Sequence, residues 1–581
     1  MKRALLYILV VVFLQGCANL AVKNVTLVWT EDVKKVTAEV ENLAAWIPMF
    51  SRPAENFAVA FDAFERWASP GGTPQISLSI SYLDTYDSIA VEADFAPLAN
   101  SSNYDLWNVD RIRVTADPDG VVPEGTLFRS NNIKNVPVPF SSDLPIVVVD
   151  TSGTTVPDEP KIAAQMKIIA AVRTVTLTHG TYEILAGRNF LSDPPNNYDG
   201  RIAIEARGAS SQNFCQRQYG FETRDDSDFN NDRNVSLLKF PTEEDWVLHA
   251  PYADKSLIRN YVAYKTSNLI GRYASRTKFV EAFINDPGLV RSGCPTPPPD
   301  HYAGVYILME KIKRDPNRVA VERLTASDNA EPQITGGYIL KIDWFDVGDV
   351  VFNTPSGTRI THVYPRASTN PAENEITVQQ SQWIRDYVLA FEAALNSPSF
   401  ADPVNGYAKY IDVDSFVDYF ILNELFKNYD AFRASTYMHK PRNQKLKMGP
   451  VWDFNLSMGN AFDLPHGQSS GWILGTVSGQ PFWWRRLLQD TNFAQKLADR
   501  WQVLRAGPLV VQNLKTMIDT GATELAYAQA RHFNRWPILG VQVFNVPPPP
   551  NETFATNIQN LKTWIEARAI WIDQNILLPI P

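Results

Sequence analysis

Cysteine is scarce in this 581-residue chain, with three in all, Cys17, Cys215 and Cys294. Three are too few for a disulfide-built scaffold. His249 has no second His or Cys at ligand spacing, which argues against a metal role for it. Positive charge is in deficit: 54 Lys and Arg face 63 Asp and Glu, for a formal net charge of -9. With no long basic patch, nucleic-acid binding is set aside. Beyond the N-terminus no apolar run reaches the ~18 residues of a membrane-spanning helix. No internal repeat is present. What the chain does hold is ordinary for a folded body, 45% hydrophobic and 20% charged. Aromatic residues at 12% and 40 prolines favour strands and ordered loops over disorder. Length alone suggests roughly two to four domains.

The N-terminus reads as a processing signal. Lys2 and Arg3 precede an apolar run from Ala4 to Leu14, too short to anchor in a bilayer. Leu14-Gln15-Gly16-Cys17 resembles a bacterial lipobox. That implies cleavage before Cys17, lipidation of its thiol and an extracytoplasmic, membrane-anchored protein. A plain secretory signal with an incidental Cys is the alternative. In an oxidising compartment Cys215 and Cys294 could pair, though two lone thiols predict this weakly.

Residues 18–140 read as a β-rich domain. Ile76-Ser77-Leu78-Ser79-Ile80-Ser81 alternates apolar and polar, and Ile89 to Ala93 continues the pattern. Turn signals at Ser69-Pro70-Gly71-Gly72 and Asp117-Pro118-Asp119-Gly120 separate strands, as in a small immunoglobulin-like sandwich. A boundary near Pro139 to Ser142 opens a second domain, 141–581. Strands are expected at 145–150, 200–205, 302–311, 336–343 and up to Val451. A helix capped by Asp412 or Asp414 is expected to reach about Lys427. A final helix after Pro547 to Pro550 should turn Ile558, Leu561, Trp564, Ile565 and Trp571 mostly to one face. Strands first and helices after suggest an α+β body with a cleft between two lobes.

Four segments could carry chemistry. In Arg207-Gly208-Ala209-Ser210-Ser211, small residues after a strand let backbone N–H groups and hydroxyls reach phosphate oxygens, with Arg207 as a charged fork. On local sequence alone a tight hairpin turn is the stronger reading of the same residues. Asp254 is expected to cap a helix from about Lys255, a structural reading. Glu310 and Lys311 follow a strand, where Glu310 could meet an adenine amino group, pair with a lysine, or belong to a solvated charge run. Asn428 and Asp430 on one turn, with Asp453 and Asn455 on another, supply the oxygen ligands that Mg²⁺ demands. Asp and Asn also favour turns for their own sake.

Several of these segments together resemble the CotH kinase family. The resemblance rests on Arg207 to Gln212, Gln218-Tyr219-Gly220-Phe221-Glu222, Asp245 to Tyr252, Glu310 to Asp315, Gly336 to Asp343 and Gly449-Pro450-Val451-Trp452-Asp453-Phe454. It spans roughly residues 140–575. It implies an atypical protein-kinase-like, two-lobe fold that uses ATP with Mg²⁺ or Mn²⁺ to phosphorylate a protein substrate, on serine. By that resemblance Asp430 orients the acceptor hydroxyl, and Asp453 and Asn455 hold the metal. Arg207, Ser210, Ser211, Arg217, Glu310 and Lys311 then serve the nucleotide. Two positions depart from the family pattern. Gln216-Arg217 stands where a Lys-Lys pair is expected, and an Arg fork is not equivalent to a compact ammonium. Asn455 stands where an Asp is frequent. A rival reading follows, a catalytically weak or inactive surface scaffold that binds a cell-envelope partner through its β-domain.

Overall fold

The computed structural model describes the backbone from residue 140 to 576, except 178–179, 186–188, 346–347, 371–373 and 545, together with strand segments before residue 140. Cys17 lies outside the described residues. The chain divides into two compact units. The first comprises Met1–Ser142 with Arg188–Pro194 and Pro298–Asp300, the second Asp143–Gly187, Pro195–Pro297 and His301–Pro581.

In the first unit the strands from Leu20–Trp29 to Leu127–Phe128 pair antiparallel in chain order, as one meander. The expected strands at 76–81 and 89–93 fall inside Gln75–Ile80 and Ile89–Pro97. Among the described residues these strands make one sheet. An immunoglobulin-like sandwich would need two sheets face to face, so that expectation is corrected to a meander.

The second unit mixes sheets and helices, the α+β composition expected. It opens with a closed seven-stranded barrel. Its strands are β1 (Ile146–Asp150), β2 (Ile162–Ile169), β3 (Tyr198–Arg207), β4 (Gln218–Thr223), β5 (Asp245–His249), β6 (Thr277–Asn285) and β7 (Tyr302–Glu310). The order is β1-β2-β3-β4-β5-β7-β6, and β6 closes the ring by pairing parallel to β1. Strand β7 is buried at every position. Tyr306 and Leu308 join the core with Ile204, Phe221 and Trp246, while Val305, Ile307 and Met309 join the helical body's core. Successive side chains leave a strand on opposite faces, so burial on both faces requires an unbroken apolar run, which Tyr302 to Met309 supplies.

A second sheet follows, ordered β9-β10-β8-β11-β12, from β8 (Tyr338–Ile342), β9 (Val351–Asn353), β10 (Arg359–Tyr364), β11 (Thr436–Lys440) and β12 (Lys447–Met448). Strand β12 stops at Met448, three residues short of Val451. The helices are α1 (Arg259–Leu269), α2 (Val378–Asn396), α3 (Val413–Phe426), α4 (Thr491–Arg505), α5 (Val511–Glu524), α6 (Ala528–Arg535) and α7 (Phe554–Asn575), with α3 packed on β12 and α6 on β7. Helix α3 starts where expected, with the Asp412 carboxylate accepting the Ser415 N–H. From Ser415 onward all of it is buried, which explains its nearly continuous apolar sequence. Helix α7 buries Ile558, Leu561 and Ile565 as expected. Cys215 and Cys294 form a disulfide across 79 residues of sequence. Among the described residues no helix is long and apolar enough to cross a membrane.

Candidate active site

Strand β8 ends at Ile342, and the next residue is Asp343. Helix α3 ends at Phe426 and turns through Lys427 in the left-handed region (φ 47°), delivering the loop that carries Asp430. Strand β12 and the stretch to Trp452 deliver Asp453, itself left-handed at φ 60°. Phe432, Ser435 and Met458 share that conformation. Such backbone is costly outside glycine and gathers where a side chain must be aimed.

The three aspartates act on one another. Burial pushes the Asp453 carboxyl up to about 7; the charges of Asp430 and Asp343 push the same way and Arg207 opposes them. Asp430 is raised by burial and by Asp343, against its ion pair with Arg433 at 3.0 Å. Asp343 is also raised by burial, against Lys341, Arg207 and the N–H groups of Ser435 and Trp344 that its carboxylate accepts at 3.1 and 2.9 Å. Arg207, at the end of β3, lies over the Trp452 ring at 5.5 Å, and Trp452 stacks on Tyr264. Three acids thus meet three cations, Arg207, Arg433 and Lys341, and burial still raises all three carboxyls.

The loop carrying Asp453 is held from α1 and the turn before it. The Asp453 N–H donates to Tyr264 Oη at 3.0 Å, and the Phe454 N–H to Asn260 Oδ1 at 2.6 Å. Arg259 donates to the carbonyls of Ser457 and Met458, and Asn460 to that of Ala253. Tyr429 donates to Leu456 O at 2.9 Å, joining the Asp430 loop to the same segment. Helix α1 begins at Arg259 rather than near Lys255, because Leu257 is left-handed (φ 62°) and breaks the first turn. Asp254 still acts as an acceptor for it, taking the Arg259 N–H at 2.8 Å and pairing with its guanidinium.

The family model of the CotH kinase protein matches residues 204–572, about two thirds of the chain. The chain belongs to the CotH kinase family. No curated protein matches it. Strands β1 and β2 precede the matched residues yet complete the CotH barrel, because β1 supplies the partner on which β6 closes.

Of the residues singled out in the sequence, Arg207, Asp430 and Asp453 come together, and Asn455 lies on the same half-buried loop. Ser210 and Ser211 form a short 3-10 turn beside Arg207. Gly208 is required there: at φ 100°, an added Cβ would lie 2.0 Å from Ser211 Oγ. Three expected nucleotide ligands are already engaged by other groups. Glu310 is buried in pairs with Arg276 and Arg318 and accepts from Tyr273. Lys311 pairs with Asp245. Arg217 pairs with Asp286 at 3.3 Å, and the buried Gln216 carboxamide donates to Val305 O. In each case an opposite charge or a carbonyl already engages the group. Asp343 was missed, although it ends the quoted Gly336 to Asp343 segment. An acid one residue past an apolar strand was the available signal.

A kinase of this family implies ATP and a divalent cation. Two acidic groups could be tested for fit. The carboxylates of Glu243, Glu244 and Asp245 lie within 4.8 Å of one another. Lys313 pairs with all three, however, and Arg318 adds a second cation. Against the cost of burial, Lys311 and Lys313 hold Asp245 well below the usual carboxylate range. That cluster is already neutralised and does not fit a metal. The Asp343, Asp430 and Asp453 group is wider, and its carboxyls are raised rather than held low. This suits Mg²⁺, which is bound through one or two carboxylates and keeps several waters.

Proposed function

We propose that this CotH-family protein is an ATP-dependent protein kinase that phosphorylates serine on a protein substrate outside the cytoplasm, tethered by lipid at Cys17. The observation that carries the reading is the gathering of Asp343, Asp430 and Asp453 with Arg207 acting on Asp343 and Asp453, which pairs a site for a cation with a cation for an anion. Asp430 orients the acceptor hydroxyl and takes its proton. Asp453 holds the divalent metal, with Asn455 and Asp343 as further oxygen donors. A bound cation would neutralise the charge that builds on the transferred phosphoryl group. Arg207 and the Gly208 to Ser211 turn receive the nucleotide phosphates through a guanidinium, hydroxyls and backbone N–H groups. The disulfide supports an oxidising compartment.

A second reading, an inactive scaffold, is favoured by Gln216 and Arg217, since neither leaves an ammonium free for phosphate. Arg207 supplies the missing charge from the neighbouring strand end, and on that ground we favour the enzyme. The test is twofold. Millimolar ATP with Mg²⁺ or Mn²⁺ should raise the melting temperature, because a ligand of the native state stabilises it. Labelled phosphate should then pass to substrate protein, and Asp430→Asn should abolish the transfer. Absence of both nucleotide stabilisation and transfer would leave the scaffold.

A further inference from the structure

A chain of hydrogen bonds joins the Gly208 to Ser211 turn to the Asp453 loop, and its direction can be worked out. It begins at the Phe454 N–H, which can only donate, and which donates to Asn260 Oδ1 at 2.6 Å. The other end of that carboxamide, Asn260 Nδ2, lies 3.0 Å from His249 Nε2. Since Nδ2 carries only protons, Nε2 must be the bare, accepting nitrogen. The proton of a neutral ring then sits on Nδ1, which lies 2.7 Å from Gln218 Oε1. Gln218 Nε2 in turn donates to Ser211 Oγ at 2.8 Å. Ser211 Oγ therefore accepts, and its own proton is left for another acceptor.

The neutral state of His249 is a consequence of its surroundings. The ring is buried, and burial together with Arg207 lowers it to about 4, with Asp254 opposing. An imidazolium would also set an N–H against the Asn260 amino group.

We propose that His249, locked as the Nδ1–H tautomer, is a positioning residue that keeps the Ser211 hydroxyl available as a donor to a nucleotide phosphate. This rests on the kinase reading for the identity of the acceptor, but the proton assignment stands apart from it. The chain also makes the turn and the Asp453 loop report on one another, because a reversal at either end propagates through four side chains.

The experiment uses the full chain labelled with ¹⁵N-histidine. Long-range ¹H–¹⁵N spectra should show His249 with a protonated Nδ1 and a bare Nε2, unchanged from pH 8 to pH 6. Asn260→Asp replaces the donor with an acceptor and should move the proton to Nε2 or charge the ring. Gln218→Glu should leave the tautomer alone but draw the Ser211 proton to the carboxylate. Gln218→Glu should weaken binding of Mg·ATP by roughly tenfold, the size of one hydrogen bond to a charged group. A wild-type ring protonated at Nε2 overturns the proposal. So does Gln218→Glu binding Mg·ATP as tightly as the wild type. If the wild type binds no nucleotide while the tautomer is as assigned, the kinase reading fails and the direction of the chain stands.

Discussion

Asp453→Asn should make the metal-free protein more stable, the reverse of most substitutions in a folded interior. The Asp453 carboxyl is displaced from 3.8 to about 7. Below pH ~4 both the folded and unfolded chains hold its proton, and no penalty exists. Between pH 4 and 7 the unfolded chain releases the proton while the folded chain keeps it, so stability falls as pH rises. Above pH 7 the penalty is complete. At ~1.4 kcal/mol per tenfold change in proton affinity the displacement corresponds to ~4 kcal/mol. Asp453 is half-buried, and solvent screening reduces this to ~2 kcal/mol. Asparagine removes the charge, keeps the shape and tolerates the left-handed backbone at this position. The variant should therefore melt roughly 2–4 °C above wild type at pH 8 in EDTA. The gap should shrink by about half at pH 5.5 and close near pH 4. Adding millimolar Mg²⁺ should raise the wild type and leave the variant unmoved. The assay is differential scanning calorimetry across that pH range with and without EDTA. A variant that melts at or below wild type at pH 8 in EDTA would refute the argument that the three acids repel.

Three further outcomes follow from other parts of the site and its supports. Asn455→Asp adds a charged oxygen beside Asp453 and should tighten Mg²⁺ binding several-fold by titration calorimetry; weaker or equal binding would separate Asn455 from the metal. Arg568 in α7 is fully buried, pairs with Glu424 at 3.0 Å and donates to the carbonyls of Ser469 and Gly471. Arg568→Met strands that carboxylate and should cost ~3–5 kcal/mol in urea unfolding, whereas a loss under 1 kcal/mol would mean that water reaches it. Cys215→Ser opens a closure of 79 residues and should cost ~4 kcal/mol on the chain-entropy model. Reductant should reproduce that loss in the wild type and add nothing in the variant.

Much of this was legible before any coordinates. The β7 run from Tyr302, helix α3 with its Asp412 cap, and the face of α7 each followed from local pattern, because burial on one or both faces writes itself into the period of apolar residues. Helix α1 began four residues late, since nothing in Asp254 to Ile258 announces that Leu257 is left-handed. The strand expected up to Val451 ended at Met448, since an apolar run looks alike whether or not it finds a pairing partner. The meander in the first unit was out of reach for the same reason: alternation marks a strand but not the sheet across from it.

The sequence by itself determined the family, the acids at 430 and 453, and the order of the main elements. Only the tertiary structure decided which charges meet. Glu310, Lys311 and Arg217 carry the right chemistry for a nucleotide but sit beside Arg276, Asp245 and Asp286, residues between 34 and 69 positions away in the chain. Asp343 enters the acid cluster from a separate sheet strand. His249, without any metal-ligand spacing, acquires its direction from the backbone N–H of Phe454, 205 residues on. An electrostatic field or a hydrogen bond acts over a few ångströms of space, and chain separation says nothing of that distance until the fold has closed it.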